Sequence, residues 1–194
     1  MTHTSRHLLV ISALLCGLLL LPAALATPGA ALDPAGTEAF DTAMQAVVPD
    51  YLKIHAALAA DKTDGVAQAA QAIAEKAATL DISAVTGERA EEYKALPQQI
   101  GAAAKSLAAA STLAAARDSF KELSVAMATW ATAARPAGVD VVYCPMVKGK
   151  WLQKSGDVNN PYMGASMLHC GEVVAGASVP GGPAAGGHEG SDHK

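Results

Sequence analysis

Apolar residues recur at spacings of three and four along most of the chain, the pattern of helices with one buried face. Thr37 and Glu38 open the first such run, with Phe40, Met44 and Val47 on one side and Tyr51, Ile54, His55 and Leu58 continuing it. Pro49 lies inside this run and must kink or split it. Asp61 to Gly65 reads as a turn, and Asp64 is placed to cap a second helix carrying Val66, Ala69, Ile73, Ala77 and Leu80. Asp81 to Gly87 is a second connection. A third helix follows with Tyr93, Leu96, Ile100, Ala103 and Leu107 inward, and Pro97 gives it a kink or a late start. The fourth has the cleanest seam: Leu113, Ala116, Phe120, Leu123, Met127, Trp130 and Ala134, with Arg117, Asp118, Lys121 and Glu122 on the wet side and Pro136 and Gly138 ending it. Four helices with short links predict a mainly α fold, an antiparallel four-helix bundle.

The pattern changes after Gly138. Val139 to Tyr143 is β-prone, Cys144-Pro145-Met146 reads as a turn, and Trp151-Leu152-Gln153 reads as a short strand. Asn159-Asn160-Pro161-Tyr162 is a second turn, and Met167 to Val174 reads as a last strand. The result is a small C-terminal β-hairpin/loop module over 139–175. It is too small to bury a core alone and is expected to dock on the helices within one domain, 37–175.

The two ends read differently. Arg6 precedes an apolar run from Leu8 to Leu21, then come Pro22 and Ala24-Leu25-Ala26, the order of a cleaved secretory leader over 1–26. The run is short for a bilayer span, and Cys16 follows Leu14 and Leu15, a poor context for lipid attachment. The mature chain is therefore expected to be periplasmic or secreted, with no stable membrane anchor. The leading segment 27–36 and the Gly/Pro/His tail 176–194 are expected to be disordered.

Hydrophobic residues make up 51% of the chain but aromatic ones only 4%. Alanine supplies much of the difference, which favours closely packed helices. Without the leader the charged residues are 13 basic against 18 acidic. A mildly acidic chain without a basic stripe is not expected to bind nucleic acid. No nucleophile with a paired base, no phosphate-binding glycine loop and no paired-carboxylate signal is found, so an enzyme is not expected.

The chemistry gathers at the C-terminal end. Cys144 and Met146 lie two apart, and Met163, Met167, His169 and Cys170 follow within eight positions of one another. Thiolates and thioethers select Cu(I) over hard cations, with silver or zinc as alternatives, and imidazole adds Cu(II) or zinc. In an extended turn Cys144 and Met146 would point the same way, as would Met167 and His169 on a strand. Two cysteines in an exported chain equally make a disulfide. A Cys144–Cys170 bridge closing about 27 residues would stabilise by roughly 3–4 kcal/mol. On that alternative the module is a structural or interaction surface with Trp151, Tyr162 and Leu168 as contacts, and Met163 and Met167 are packing residues. His55 reads as a satisfied core or boundary histidine, and Met44 and Met127 as core. His188 and His193 offer only loose metal contact from the tail.

The segments Tyr143-Cys144-Pro145-Met146, Trp151-Leu152, Asn160-Pro161-Tyr162 with Gly164, and Met167 with Cys170-Gly171-Glu172 resemble the signature of an exported bacterial domain of unassigned function. That domain occurs alone after a signal peptide, or fused to periplasmic adaptor subunits of heavy-metal efflux pumps of the resistance-nodulation-division type. Tyr51 to Asp61 and Arg117 to Ser124 match its helical patterns more loosely. The resemblance spans roughly 38–174. It implies a four-helix bundle carrying a Cys/Met copper- or silver-binding segment with Cys144, Met146, Met167 and Cys170 as ligands. It also implies a periplasmic adaptor or copper-efflux component as partner. Met163 and His169 join this set on donor chemistry alone.

Overall fold

The structure, a computed structural model, describes residues 34–178. The expected leader over 1–26, the leading segment up to 33, and the tail from 179 with His188 and His193 lie outside the described residues. The chain is mainly helical, with a small three-stranded antiparallel sheet at its C-terminal end. The helices are α1 (Pro34–Gln45), α2 (Val48–Ala59), α3 (Val66–Ala77), α4 (Glu88–Tyr93), α5 (Leu96–Ala108) and α6 (Leu113–Ala134). α1 begins at Pro34, so the last three residues of the leading segment are helical and not disordered as expected.

Two prolines cut the helical runs by the same steric rule. A proline has no N–H for the carbonyl four residues back, and its ring crowds that carbonyl. For Pro49 that residue is Gln45, where α1 ends; for Pro97 it is Tyr93, where α4 ends. Each proline instead lies in the first turn of the next helix, where a missing N–H costs nothing. α6 runs unbroken over its expected length. The Thr112 hydroxyl accepts from the Ala115 N–H at its start, and Arg135 takes a left-handed conformation at its end, before Pro136. Thr112 thereby satisfies one of the four unpaired N–H groups of the first turn.

α3 packs along α5, α5 along α6, and α2 against α3. Small residues permit the close approach: a Cβ built on Gly101 would stand 3.7 Å from that of Ala77. Tyr51, Ile54, Ile73, Ile100, Phe120 and Trp130 are fully buried, and so are Met44 and Met127. The Trp130 indole N–H donates to Asp41 at 2.8 Å, which joins α6 to α1.

The sheet comprises β1 (Val139–Cys144), β2 (Gly149–Lys154) and β3 (Glu172–Gly176), with β1 central. β1 and β2 form a hairpin in which Cys144 pairs with Gly149, and Lys148 takes a left-handed φ of 48° in the connection. The expected strand from Met167 to Val174 is shorter and later than the sequence indicated. Residues Gly164–Ser166 form a 3-10 turn, Met167–Cys170 stay irregular, and the strand starts at Glu172. The expected break at 176 is also late: Ala177 donates to Val139, and Ser178 donates from N–H and hydroxyl to the buried Asp140 carboxylate.

The sheet docks on the helices through β2 and α6. Arg117, expected on the wet side of α6, donates instead to the carbonyls of Pro161 (2.8 Å) and Leu58 (2.9 Å) and to Asp61 (2.6 Å). Asp61 accepts in turn from the Ala165 N–H at 2.9 Å. Lys121, also expected outside, donates to the Val147 carbonyl at 2.7 Å. A long cationic side chain can lay its stem on apolar surface and still bring donors to orphaned carbonyls.

Gly164 sits inside this clamp at φ +54°, and a Cβ there would clash with the Asp61 carboxylate and the Arg117 guanidinium. Gly164→Ala is expected to cost about 1–3 kcal/mol or more through strain and clash. Gly138→Ala, at φ +69° but facing open space, is expected to cost about 1 kcal/mol. Urea midpoints of the two variants test this; equal losses would mean the clamp does not hold the loop.

Candidate metal centre

Cys144 ends β1 with no exposed surface, and Cys170 is half-buried just before β3. Their Sγ atoms lie 2.7 Å apart. The hairpin and the loop returning to β3 thus bring together two cysteines that are 26 positions apart in the chain.

The two sulfurs are not equivalent. Burial alone would push the Cys144 thiol up. That effect is outweighed by hydrogen bonds from the Cys170 thiol, the Val147 and Met146 N–H groups and the Asn160 side chain, which together hold it below the usual thiol range. Cys170 is raised, first by its hydrogen bond to Cys144, then by burial and by the charge on Cys144. Of the two, Cys144 is therefore the sulfur that gives up its proton more readily.

The other donors lie on the turns around this pair. Met146 is 67% exposed and Met167 37% exposed; Val125 and Val174 are exposed too among the large apolar side chains. Met163 is half-buried and its N–H donates to Asn160. His169 is exposed, with Nδ1 bonded to the Val158 carbonyl at 2.8 Å. Two expectations about direction fail. Cys144 points into the core while Met146 points to solvent, because the Pro145–Lys148 turn reverses the chain between the strands. Met167 and His169 do not share a strand face, because the backbone there is a 3-10 turn and bend. Trp151, suggested as an exposed contact, has no exposed surface and packs edge-on against Tyr162 at 5.7 Å.

Among the described residues, no three His, Cys, Asp or Glu side chains are grouped closely enough to hold a metal ion. The site consists of two sulfurs with thioethers nearby and has no ring of hard ligands. That donor set fits a soft monovalent ion and fits zinc poorly.

Asn160 ties the site together, and the residue pattern assigned it no such role. Its side chain is fully buried. Its amide donates to the Cys170 carbonyl at 2.8 Å and accepts from the Tyr162 and Met163 N–H groups. Its position before Pro161 was the available signal, but that marks a turn and says nothing of what the side chain holds.

The helical part of the chain is similar to one family. Residues 47–137 match the model of a family described as protein of unknown function (DUF3347). The match runs from the turn before α2 to the residue before Gly138, so both cysteines lie beyond it. No curated protein and no solved structure matches the chain.

A groove of about 800 Å³ runs between α2 and the loop behind the site, lined among others by Leu52, His55, Asn159 and Leu168 and by none of the six sulfur and imidazole donors. His55 is 7% exposed, and its Nε2 bonds the Asn159 carbonyl at 2.8 Å, the boundary role expected of it. Burial lowers its pKa from 6.5 to about 4, against the raising effect of that bond. Between these values the unfolded chain takes up a proton that the folded chain refuses. Stability is therefore full above about pH 6.5, falls as the pH drops through this window, and levels off near pH 4, a loss of about 3 kcal/mol. Urea midpoints at pH 7 and pH 4.5 should show the fall in wild type and a smaller one in His55→Gln. Equal falls would remove His55 as the cause.

Proposed function

We propose that this chain is an exported metal-binding protein that takes Cu(I), or Ag(I), at Cys144 and Cys170 for buffering, sensing or transfer. The observation that carries this reading is the split among the methionines. Met44 and Met127 are fully buried between helices, whereas Met146 and Met167 are exposed on the turns beside the two adjacent sulfurs. An exposed thioether gains nothing from packing, and beside a thiolate it is a soft ligand within reach of a passing ion. In this reading α2, α3, α5 and α6 form an antiparallel four-helix bundle that presents the sulfur module. A periplasmic adaptor or copper-efflux component is then the natural source or acceptor of the ion, and the protein performs no catalysis of its own.

One distance favours a second reading. At 2.7 Å the sulfurs stand closer than two thiolates sharing an ion, whose metal–sulfur bonds are about 2.3 Å each, and nearer the disulfide distance of about 2.05 Å. A Cys144–Cys170 bridge would make the module a stapled structural or interaction surface without metal.

Competition with a chromogenic Cu(I) chelator under anaerobic, reducing conditions separates the two, with thiols counted on the protein as isolated. Tight one-to-one uptake that is lost in Cys144→Ser supports the metal reading. No uptake together with a complete bridge in the isolated protein overturns it. Met146→Ala is expected to leave stability within about 0.5 kcal/mol while weakening Cu(I) binding. Met44→Ala should cost about 2–5 kcal/mol and leave binding by the folded protein unchanged.

A further inference from the structure

The groove behind the sulfur site has a one-sided chemistry. Val48, Leu52 and Ala59 of α2 and Leu168 of the facing loop give it an apolar lining. Its neutral polar side chains spend their hydrogen bonds within the protein. His55 bonds the Asn159 carbonyl. The Gln153 amide accepts from the Trp151 indole and the Asn159 N–H, and donates to the Asp157 carbonyl at 2.9 Å. The Asn159 amide donates to that same carbonyl. A peptide or a sugar laid in the groove would bring N–H, C=O or hydroxyl groups that find few partners there, and an unpaired polar group at an apolar site is costly.

The charge is one-sided as well. The lining includes two lysines, Lys53 from α2 and Lys154 at the end of β2, and no carboxylate. Lys53 bonds Asp50 at 2.8 Å, but Lys76 meets the same carboxylate at 2.6 Å, so the trio carries one net positive charge. The Lys53 side chain stays 70% exposed. Among the described residues no carboxylate pairs with Lys154. The groove has the size of a small-molecule site, and its lysines can lay their stems on apolar surface while their ammonium groups stay at the rim. Such a groove complements a molecule with an apolar body and an anionic head.

We propose that this groove binds an amphiphilic anion with a single alkyl chain, a carboxylate of the fatty-acid type, with the chain along Leu52 and Leu168 and the head at Lys53 and Lys154. Burial of the chain supplies the affinity, because apolar area leaves water, and the lysines supply orientation and the preference for an anion. The proposal is independent of the metal reading, since no cysteine or methionine lines the groove.

Titration with decanoate, below the concentration at which it forms micelles, and with uncharged decanol tests it. Decanoate should bind wild type at one saturable site. The double variant Lys53→Gln/Lys154→Gln should weaken decanoate about fivefold or more and leave decanol unchanged. Ala56 is exposed and lines the groove, so Ala56→Trp should fill it without disturbing the core and abolish binding of both probes. No saturable uptake of decanoate, full binding in Ala56→Trp, or equal effects of the double variant on the two probes overturns the proposal. If Ala56→Trp does not fold, the wild type decides: the Leu52 and Leu168 methyl resonances should shift on adding decanoate, and resonances that stay in place overturn it. Binding to phosphatidylglycerol vesicles, or a dimer lost in Ala56→Trp, without uptake of decanoate would give the groove to a lipid surface or to a second copy of the chain, and overturns it too.

Discussion

Tyr51 has no exposed surface, and its hydroxyl stands 3.1 Å from the Leu152 N–H of β2 and 2.5 Å from the Ser124 hydroxyl of α6. A buried phenol without a partner would be costly, and so would a buried strand N–H. Each supplies what the other lacks, at the point where two helices and the sheet meet. The rings repeat the connection: Tyr51 lies 4.8 Å from Phe120, Phe120 lies 6.1 Å from Tyr162, and Tyr162 meets Trp151 edge-on. In a chain with so few aromatic residues, these four are spent at the junction of helices and sheet. Such pairs contribute about 0.5–1.5 kcal/mol each beyond the area they bury.

The sulfur site depends on that junction. Three short strands with one buried face would be marginal in isolation. Held by β2 against α6, by Lys121 at the Val147 carbonyl and by Arg117 at the Pro161 carbonyl, both turns that carry sulfur are fixed from the helix side. The helices therefore do more than fill volume. Arg117 and Asp61 come from separate helix ends, and together they set the path of the loop that returns Cys170 to Cys144. A module so held keeps its two adjacent sulfurs in place while the Met146 and Met167 side chains stay exposed.

Much of this was legible in the chain. The seam from Leu113 to Ala134 is a helix because its apolar positions stay in phase over six turns. The first hairpin is legible because β-prone residues flank a proline turn. The buried fates of Met44 and Met127 follow from their place on helical seams. His55 followed from its place on an apolar face. These are local rules of period, capping and turn chemistry, and they act within a few residues.

What failed was direction and partnership across distance. Cys144 and Met146 are two apart, yet one is buried and the other exposed, because direction within a turn depends on how the strands pair on either side. Met167 to Cys170 looks β-prone, yet Asn160 and Gly164 bend it into a turn through hydrogen bonds that no spacing rule contains. Arg117 and Lys121 look like solvent-facing charges until the sheet brings carbonyls to them. By itself the sequence determined the helices, the hairpin and the soft-donor inventory, because each depends on neighbours along the chain. Only the tertiary structure decided that the two sulfurs meet, that Asn160 ties down the Cys170 backbone and that Met146 and Met167 face outward, because those depend on contacts between residues far apart in sequence.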